Sequence, residues 1–456
     1  MSRPFRIGSL GRFAALVAAC ALASQPVAAQ SILRDAETEA LLHDMARPLV
    51  GASGLDPKNV DIVLVNDPEV NAFVAGGQAV YVNSGLINMA DSAAEVQGVI
   101  AHELGHITGG HAIYNPGAKV AGGISLLSLL LGAAAAAAGG GEAAMGVIMA
   151  GQQAAMGKYL AFSRSQEATA DAAGAQFLSK AGISGRGSIS FFKKLANQEY
   201  RYGYQASDEN AFYSTHPVTE DRIATLQDTY QHDAAWTKPS DPKLEARFAR
   251  AKAKLFGYLA EPKDTFATYP ATMTSVPARY ARAYAFHKDA RLDKAMEETD
   301  ALLTQAPDDP YFLELKGQIL LESGKPAEAL VPLRRATDLS GNQPLIATTF
   351  GHALIATEDP KNYVEAQRIL KVAVERDREN PFAWYNLGVV YAANGDLPRA
   401  RLASAEQQVM ENRMPEALNS AEAAEAALPK GSSDWLRAQD IAMQARAAIE
   451  QKRKHR

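Results

Sequence analysis

Apolar residues recur at helical spacing along most of the chain, broken once by a short stretch of strand-like alternation. Ile32, Leu33, Ala40, Leu41, Leu42, Met45 and Leu49 have the 3.6-residue spacing of a helix packed on a core. The β-branched run Val60 to Val65 then predicts a strand, and Asn71 to Ala75, Gly76-Gly77 and Ala79 to Val82 predict a hairpin with a glycine turn. An edge strand of such a sheet can hold an extended peptide through main-chain hydrogen bonds. Ser92 followed by Glu95 reads as a capping box and Gly109-Gly110 as a stop, which sets a helix at residues 93–108 around the apolar run Val96 to Ala101.

After that helix the pattern changes. Val120 to Ala138 carries no charge, and Ala133 to Ala138 is an unbroken alanine run. Gly122-Gly123, Ser125 and Ser128 argue against a membrane span, so residues 120–160 predict a helical hairpin, a lid near the site or a segment touching a membrane surface. Its second helix runs from Glu142 to Leu160. A separate helix opens at Ser163 and stops at Gly182, and further helices follow from Ser188 and after Pro217. Residues 232–276 are rich in proline around a helix from Leu244 to Leu259, as expected of a connecting segment.

Beyond it the sequence repeats. Ala295, Ala329, Ala366 and Ala400 hold equivalent places, as do Ala283, Gly317, Gly351 and Gly388, with an insertion placed in a loop at Asp359 to Asn362. Trp384-Tyr385-Asn386-Leu387-Gly388-Val389-Val390-Tyr391 fits the W-x2-L-G-x2-Y helix of a tetratricopeptide repeat. Each helix pair has an apolar face that only a neighbour covers, and the stack curves into a protein-binding groove. The expected architecture is mainly α: an α+β domain with a small β-sheet (residues 30–231), which the motifs below make a gluzincin-type metallopeptidase, the connecting segment, then an α-solenoid of tetratricopeptide repeats (277–449) and a basic tail (450–456).

Charge narrows the function. Forty-six Lys and Arg against 51 Asp and Glu, interspersed and summing to −5, give no reason to expect nucleic acid. Residues 1–29 read as a signal peptide: Arg3, Arg6 and Arg12, then apolar Phe13 to Ala23, then Val27-Ala28-Ala29 before the cut. The protein is therefore expected to be exported, and the resemblance given below places it in the periplasm. The one cysteine, Cys20, lies inside this segment; processing at Cys20 would instead leave a lipid anchor, though the apolar stretch before it is short.

The chemistry centres on His102-Glu103-Leu104-Gly105-His106. Histidines four apart on a helix converge on one ion with the glutamate beside them, although the five-residue pattern alone also arises by chance. A catalytic zinc needs a third protein ligand. A metzincin would supply a histidine at position 112, but that residue is Ala and His111 falls one short. Glu167 is the better candidate, giving the His2Glu set of a gluzincin, with Asp171 one turn on to hydrogen-bond a ligand imidazole. The same pair would also suit an ordinary surface helix, since acidic residues favour a first turn.

Taken together, H-E-L-G-H, the E-x-x-x-D of Glu167 to Asp171 preceded by Ser163-Arg164, and Ser214-Thr215-His216-Pro217 followed by Arg222 resemble the family of integral-membrane and periplasmic metallopeptidases that includes HtpX and the CAAX-prenyl proteases. The resemblance implies one Zn2+ per chain on His102, His106 and Glu167, Glu103 as base, and His216 in the fourth position, shutting the site until it moves. His216 or Arg222 would then stabilise the oxyanion. Family members with an export signal and repeats degrade or help mature outer-membrane β-barrel precursors, so the implied partners are unfolded or misassembled outer-membrane proteins and, through the repeats, their assembly machinery. A reading from another class is a periplasmic adaptor or chaperone whose protease domain is largely latent. An exopeptidase would need a group holding a substrate terminus, and no residue suggests one.

Overall fold

The computed structural model describes residues 31–111, 124–125, 127–131, 141–202, 216 and 219–454. The expected signal peptide, with Cys20, and most of the alanine-glycine stretch lie outside these residues. The peptidase part opens with β1 (Ser31–Ile32), α1 (Ala36–Ser53), β2 (Asp61–Asn66), β3 (Ala72–Ala75), β4 (Ala79–Asn83), α2 (Ser84–Met89) and α3 (Ala93–Thr108). It continues with α4 (Gly141–Ala181), α5 (Arg186–Tyr202), α6 (Glu220–Gln231), α7 (Pro242–Leu259) and α8 (Pro262–Thr268).

The strands form one sheet in the order β1-β2-β4-β3, with β2 parallel to β4 and the expected β3–β4 hairpin antiparallel. Gly76 and Gly77, at φ of 64° and 107°, make the turn that a side chain would strain. Ile32 and Leu33, expected in the first helix, precede it: Ile32 pairs with Val65 in β1, and Asp35 starts α1 by accepting a hydrogen bond from the Thr38 N–H. One apolar core joins α1, the sheet, α3 and α5 through Leu42, Leu64, Val82, Ile100 and Phe191.

Two further expectations are corrected. The second hairpin helix and the helix carrying Glu167 are one element, α4, 41 residues long, because nothing between Leu160 and Ser163 breaks a helix. Among the described residues no helix is long and apolar enough to cross a membrane. Residues 242–259 are built into the peptidase core through Phe248, Ala251 and Leu255. Glu245 there accepts hydrogen bonds from the Ala93 and Ala94 N–H groups at 2.8 and 3.3 Å, satisfying donors that the start of α3 leaves free.

The repeats run from α9 (Val276–Lys288) and α10 (Leu292–Gln305) through α11 (Pro310–Glu322), α12 (Pro326–Leu339), α13 (Pro344–Ala356) and α14 (Pro360–Arg376). They end with α15 (Pro381–Ala393), α16 (Leu397–Met410), α17 (Met414–Ala427) and α18 (Ser433–Lys454). Their small residues are where helices touch: a Cβ on Gly317 would lie 2.3 Å from Leu333, and one on Gly351 2.6 Å from Leu370. The insertion expected in a loop instead lengthens a helix, since α14 has 17 residues where α10, α12 and α16 have 14. Asp359 caps it through the Lys361 N–H and Pro360 occupies its first turn, so those residues start the helix. Buried polar contacts tie repeats to peptidase: Glu37 accepts from Tyr280 at 2.8 Å and Arg250 pairs with Asp309 at 2.5 Å, while Lys254 pairs with Asp35 at 2.5 Å within the peptidase part beside them.

Candidate metal centre

The site is assembled where three helices cross at glycine. A Cβ on Gly105 would lie 2.5 Å from the Ala170 carbonyl oxygen, one on Gly174 3.0 Å from the Ala101 oxygen, and one on Gly98 2.7 Å from the Ser188 Cα. Only glycine therefore lets α4, which carries Glu167 and Asp171, approach the histidine helix so closely. Gly105→Ala is expected to cost about 1–3 kcal/mol of stability, as overpacked cores do, and to loosen metal binding. Thermal unfolding and zinc titration of that variant check both effects.

His102, His106, Glu167 and His216 each direct one donor atom into a common space, all within 4.8 Å of one another. His102 Nε2 stands 3.1 Å from His106 Nε2 and 3.4 Å from His216 Nδ1. Glu167 carboxylate oxygens lie 3.3 Å from each of the first two and 3.0 Å from His216 Nδ1. Donors bound at about 2.0–2.1 Å in a tetrahedron stand about 3.3–3.4 Å apart, so the donor atoms of His102, His106 and Glu167, 3.1 to 3.3 Å from one another, already have close to the spacing that a zinc ion requires. All four residues are buried; the most accessible, His106, is 8% exposed.

Behind the donors lies a second layer. His102 Nδ1 is 2.8 Å from Asp171 Oδ1, a charged contact behind the ring that favours Nε2 facing inward. Arg222 grips Asp171 with Nε and Nη2 at 2.8 and 2.9 Å, and its Nη1 is 3.0 Å from Glu167. Phe192 underlies both, its ring 6.1 Å from that of His102 and 5.4 Å from the guanidinium. Arg222, expected near an oxyanion, thus sits behind the carboxylates and positions them. Phe192 and Glu245 carry no signal in a motif; only the folded packing identifies them.

The electrostatics suit a cation. Burial disfavours a charged His102, but hydrogen bonds and charge from Asp171 and Glu167 outweigh it and raise the pKa to about 10. Burial likewise pushes Glu167 up, yet the surrounding histidines hold its carboxyl well below the usual range. Burial lowers His106 and His111. The carboxylates of Glu167 and Asp171 that favour positive charge at His102 favour a metal cation in the cluster for the same reason.

Glu103 is not among the donors. It is 1% exposed, neither carboxylate oxygen accepts a hydrogen bond among the described residues, and His216 Nε2 lies 3.6 Å from Oε1. His111, weighed in the sequence as a third ligand, stays outside the cluster: its Nδ1 is 2.9 Å from Nδ1 of His106, on the side of that ring away from the other donors.

Comparison with known proteins agrees with this geometry. Residues 34–230 match the model of Peptidase family M48, and residues 369–402 match a Tetratricopeptide repeat. The chain is 25% identical over 386 residues to the β-barrel assembly-enhancing protease of Yersinia pestis, covering 82% of this chain and 76% of that one. It is 26% identical over 379 residues to the Escherichia coli (strain K12) protein of the same name, covering 81% and 75%. Metalloprotease LoiP of Escherichia coli (strain K12) is 34% identical over 180 residues, covering 39% of this chain and 64% of that protein. The expected metallopeptidase domain followed by tetratricopeptide repeats is borne out.

Proposed function

We propose that this chain, an M48 metallopeptidase with tetratricopeptide repeats, is an exported zinc endopeptidase of the periplasm. Its substrates in this reading are unfolded or misassembled outer-membrane proteins. The observation that carries the chemistry is the set of four buried donors, all within 4.8 Å of one another, with the buried carboxylate of Glu103 beside it, 3.6 Å from His216 Nε2. Zinc held by His102, His106 and Glu167 supplies polarisation of the scissile carbonyl and lowers the pKa of water toward neutrality. Glu103, whose oxygens accept no hydrogen bond among the described residues, accepts the proton of the attacking water and delivers it to the leaving amine. Asp171 fixes the tautomer of His102, and Arg222 fixes Asp171 and Glu167.

Substrate choice is supported by two surfaces. Strand β3 lies at the edge of the sheet and packs on the histidine helix, so an extended chain added to it runs past the metal. A cleft of about 1240 Å³ separates the sheet from the repeats and is lined by Val63, Tyr81, Leu321, Thr348, His352 and Phe382. Such a cleft admits an unfolded polypeptide, and the names of the relatives suggest that it belongs to a β-barrel protein. The repeats would dock the assembly machinery, and the apolar surface at Leu127, Leu129, Leu130 and Leu131 would face a membrane.

The test is digestion of an unfolded outer-membrane β-barrel precursor by the purified zinc-loaded chain, read by mass spectrometry. Internal cuts that disappear with a chelator are expected; products shortened only from their ends would replace the endopeptidase reading. A latent protease domain serving as adaptor gains some support from His216, which closes the donor set. Complementation separates the two. Rescue by Glu103→Gln but not by a chain truncated before Ala278 favours the adaptor.

A further inference from the structure

We propose that His111 is a further positioning residue of the metal centre, holding the His106 imidazole in its metal-binding tautomer and orientation by accepting a hydrogen bond at Nδ1. The inference rests on the zinc reading of the cluster, and its test is chosen so that the two fail separately.

His106 faces the other donors with Nε2 and faces His111 with Nδ1. An Nε2 that gives its lone pair to a cation leaves the ring proton on Nδ1. The 2.9 Å separation between the two Nδ1 atoms then makes His106 the donor and His111 the acceptor, with the proton of His111 on its own Nε2. The rings meet at 72° with centroids 5.0 Å apart, so this is an edge contact rather than a stack.

The backbone is built to bring that acceptor round. After His106 the helix closes with Gly109 N–H donating to Gly105 O, Gly110 N–H to Ile107 O and His111 N–H to His106 O, at 2.9, 3.0 and 3.0 Å. Gly110 takes the left-handed conformation at φ 67°, which reverses the chain. Gly109 clears the space, since a Cβ there would lie 2.6 Å from His111 Nε2. The one-residue offset that removes His111 from the third-ligand position therefore delivers it to the back of a ligand. The two helix histidines are supported unequally: His102 by the carboxylate of Asp171, which Arg222 anchors, and His106 by a neutral ring.

The test uses the full chain, with zinc affinity measured by competition against a chromophoric chelator and the ligand field read from the visible spectrum of the cobalt(II) form. His111→Phe, which keeps the ring but removes the acceptor, is expected to weaken zinc binding about 10–100-fold and to shift the cobalt bands. His111→Asn, whose Oδ1 stands near the place of Nδ1, is expected to restore most of the affinity. Unchanged affinity in His111→Phe, or an Asn variant as weak as Phe, overturns the proposal. Should a variant not fold, 15N-histidine spectra of the unaltered zinc-loaded chain decide: a slowly exchanging Nδ1 proton on His106, coupled to the His111 nitrogen, supports the assignment, and its absence refutes it. Failure of the unaltered chain to bind zinc at all would instead refute the metal reading itself.

Discussion

Glu103→Gln is expected to lower peptide cleavage by roughly 10²–10⁴-fold, the range of a lost general base, while zinc content stays at the level of the unaltered chain. The geometry separates the two effects. The donor set comprises His102, His106, Glu167 and His216, so removing the carboxylate of Glu103 takes nothing from the ion. The same geometry predicts a second result. Glu103 is 1% exposed and its oxygens accept no hydrogen bond among the described residues, and a buried polar group left so costs on the order of 1–3 kcal/mol, more when charged. Glutamine has the same shape without the charge, so the variant should unfold at the same temperature as the parent or higher. Metal analysis, a cleavage assay and a melting curve check all three. Undiminished proteolysis by Glu103→Gln would sink the assignment of the base, and loss of zinc would make Glu103 a ligand.

What the sequence disclosed about this site depended on how local the signal was. The histidine helix spans residues 93–108 as expected, because Ser92 and the glycine pair that bound it act within one turn, Ser92 accepting from the Glu95 N–H. The repeats were legible for a similar reason, since Ala329 and Gly317 recur with the period of the packing they serve. The length of α4 and the placing of α7 were not. A serine at 163 can start a helix or lie within one, and with no breaker between Leu160 and Ser163 the helix runs through it. Nor does the pattern of residues 242–259 say that Glu245 turns back to cap a helix 150 residues away. His111 shows the limit most plainly: its type and approximate position were visible, but its direction followed from the φ of Gly110.

His216→Ala is expected to raise cleavage of an unfolded chain, or self-cleavage, by roughly tenfold or more at saturating zinc, equivalent to about 1.4 kcal/mol in the balance between closed and open sites. A catalytic zinc keeps one position open, whereas here a fourth donor completes the set: His216 Nδ1 stands 3.0 and 3.1 Å from the Glu167 oxygens and 3.4 Å from His102 Nε2. Its other nitrogen points at Glu103, 3.6 Å away, so one ring covers both the metal position and the base. Every donor residue is under a tenth exposed, so the centre is closed as it stands, and departure of His216 would free both the metal position and the base. Removing a ligand also weakens zinc binding, which is why the rates must be compared with the metal saturating. The opposite result is equally informative. A fall of 10²-fold or more would make His216 a donor to the oxyanion, because losses of that size mark such groups. Arg222 would not share the role, since its Nε, Nη1 and Nη2 already meet Asp171 and Glu167. Cleavage rates of His216→Ala and of the parent, each at saturating zinc, therefore distinguish a plug from a transition-state group by the sign of the change.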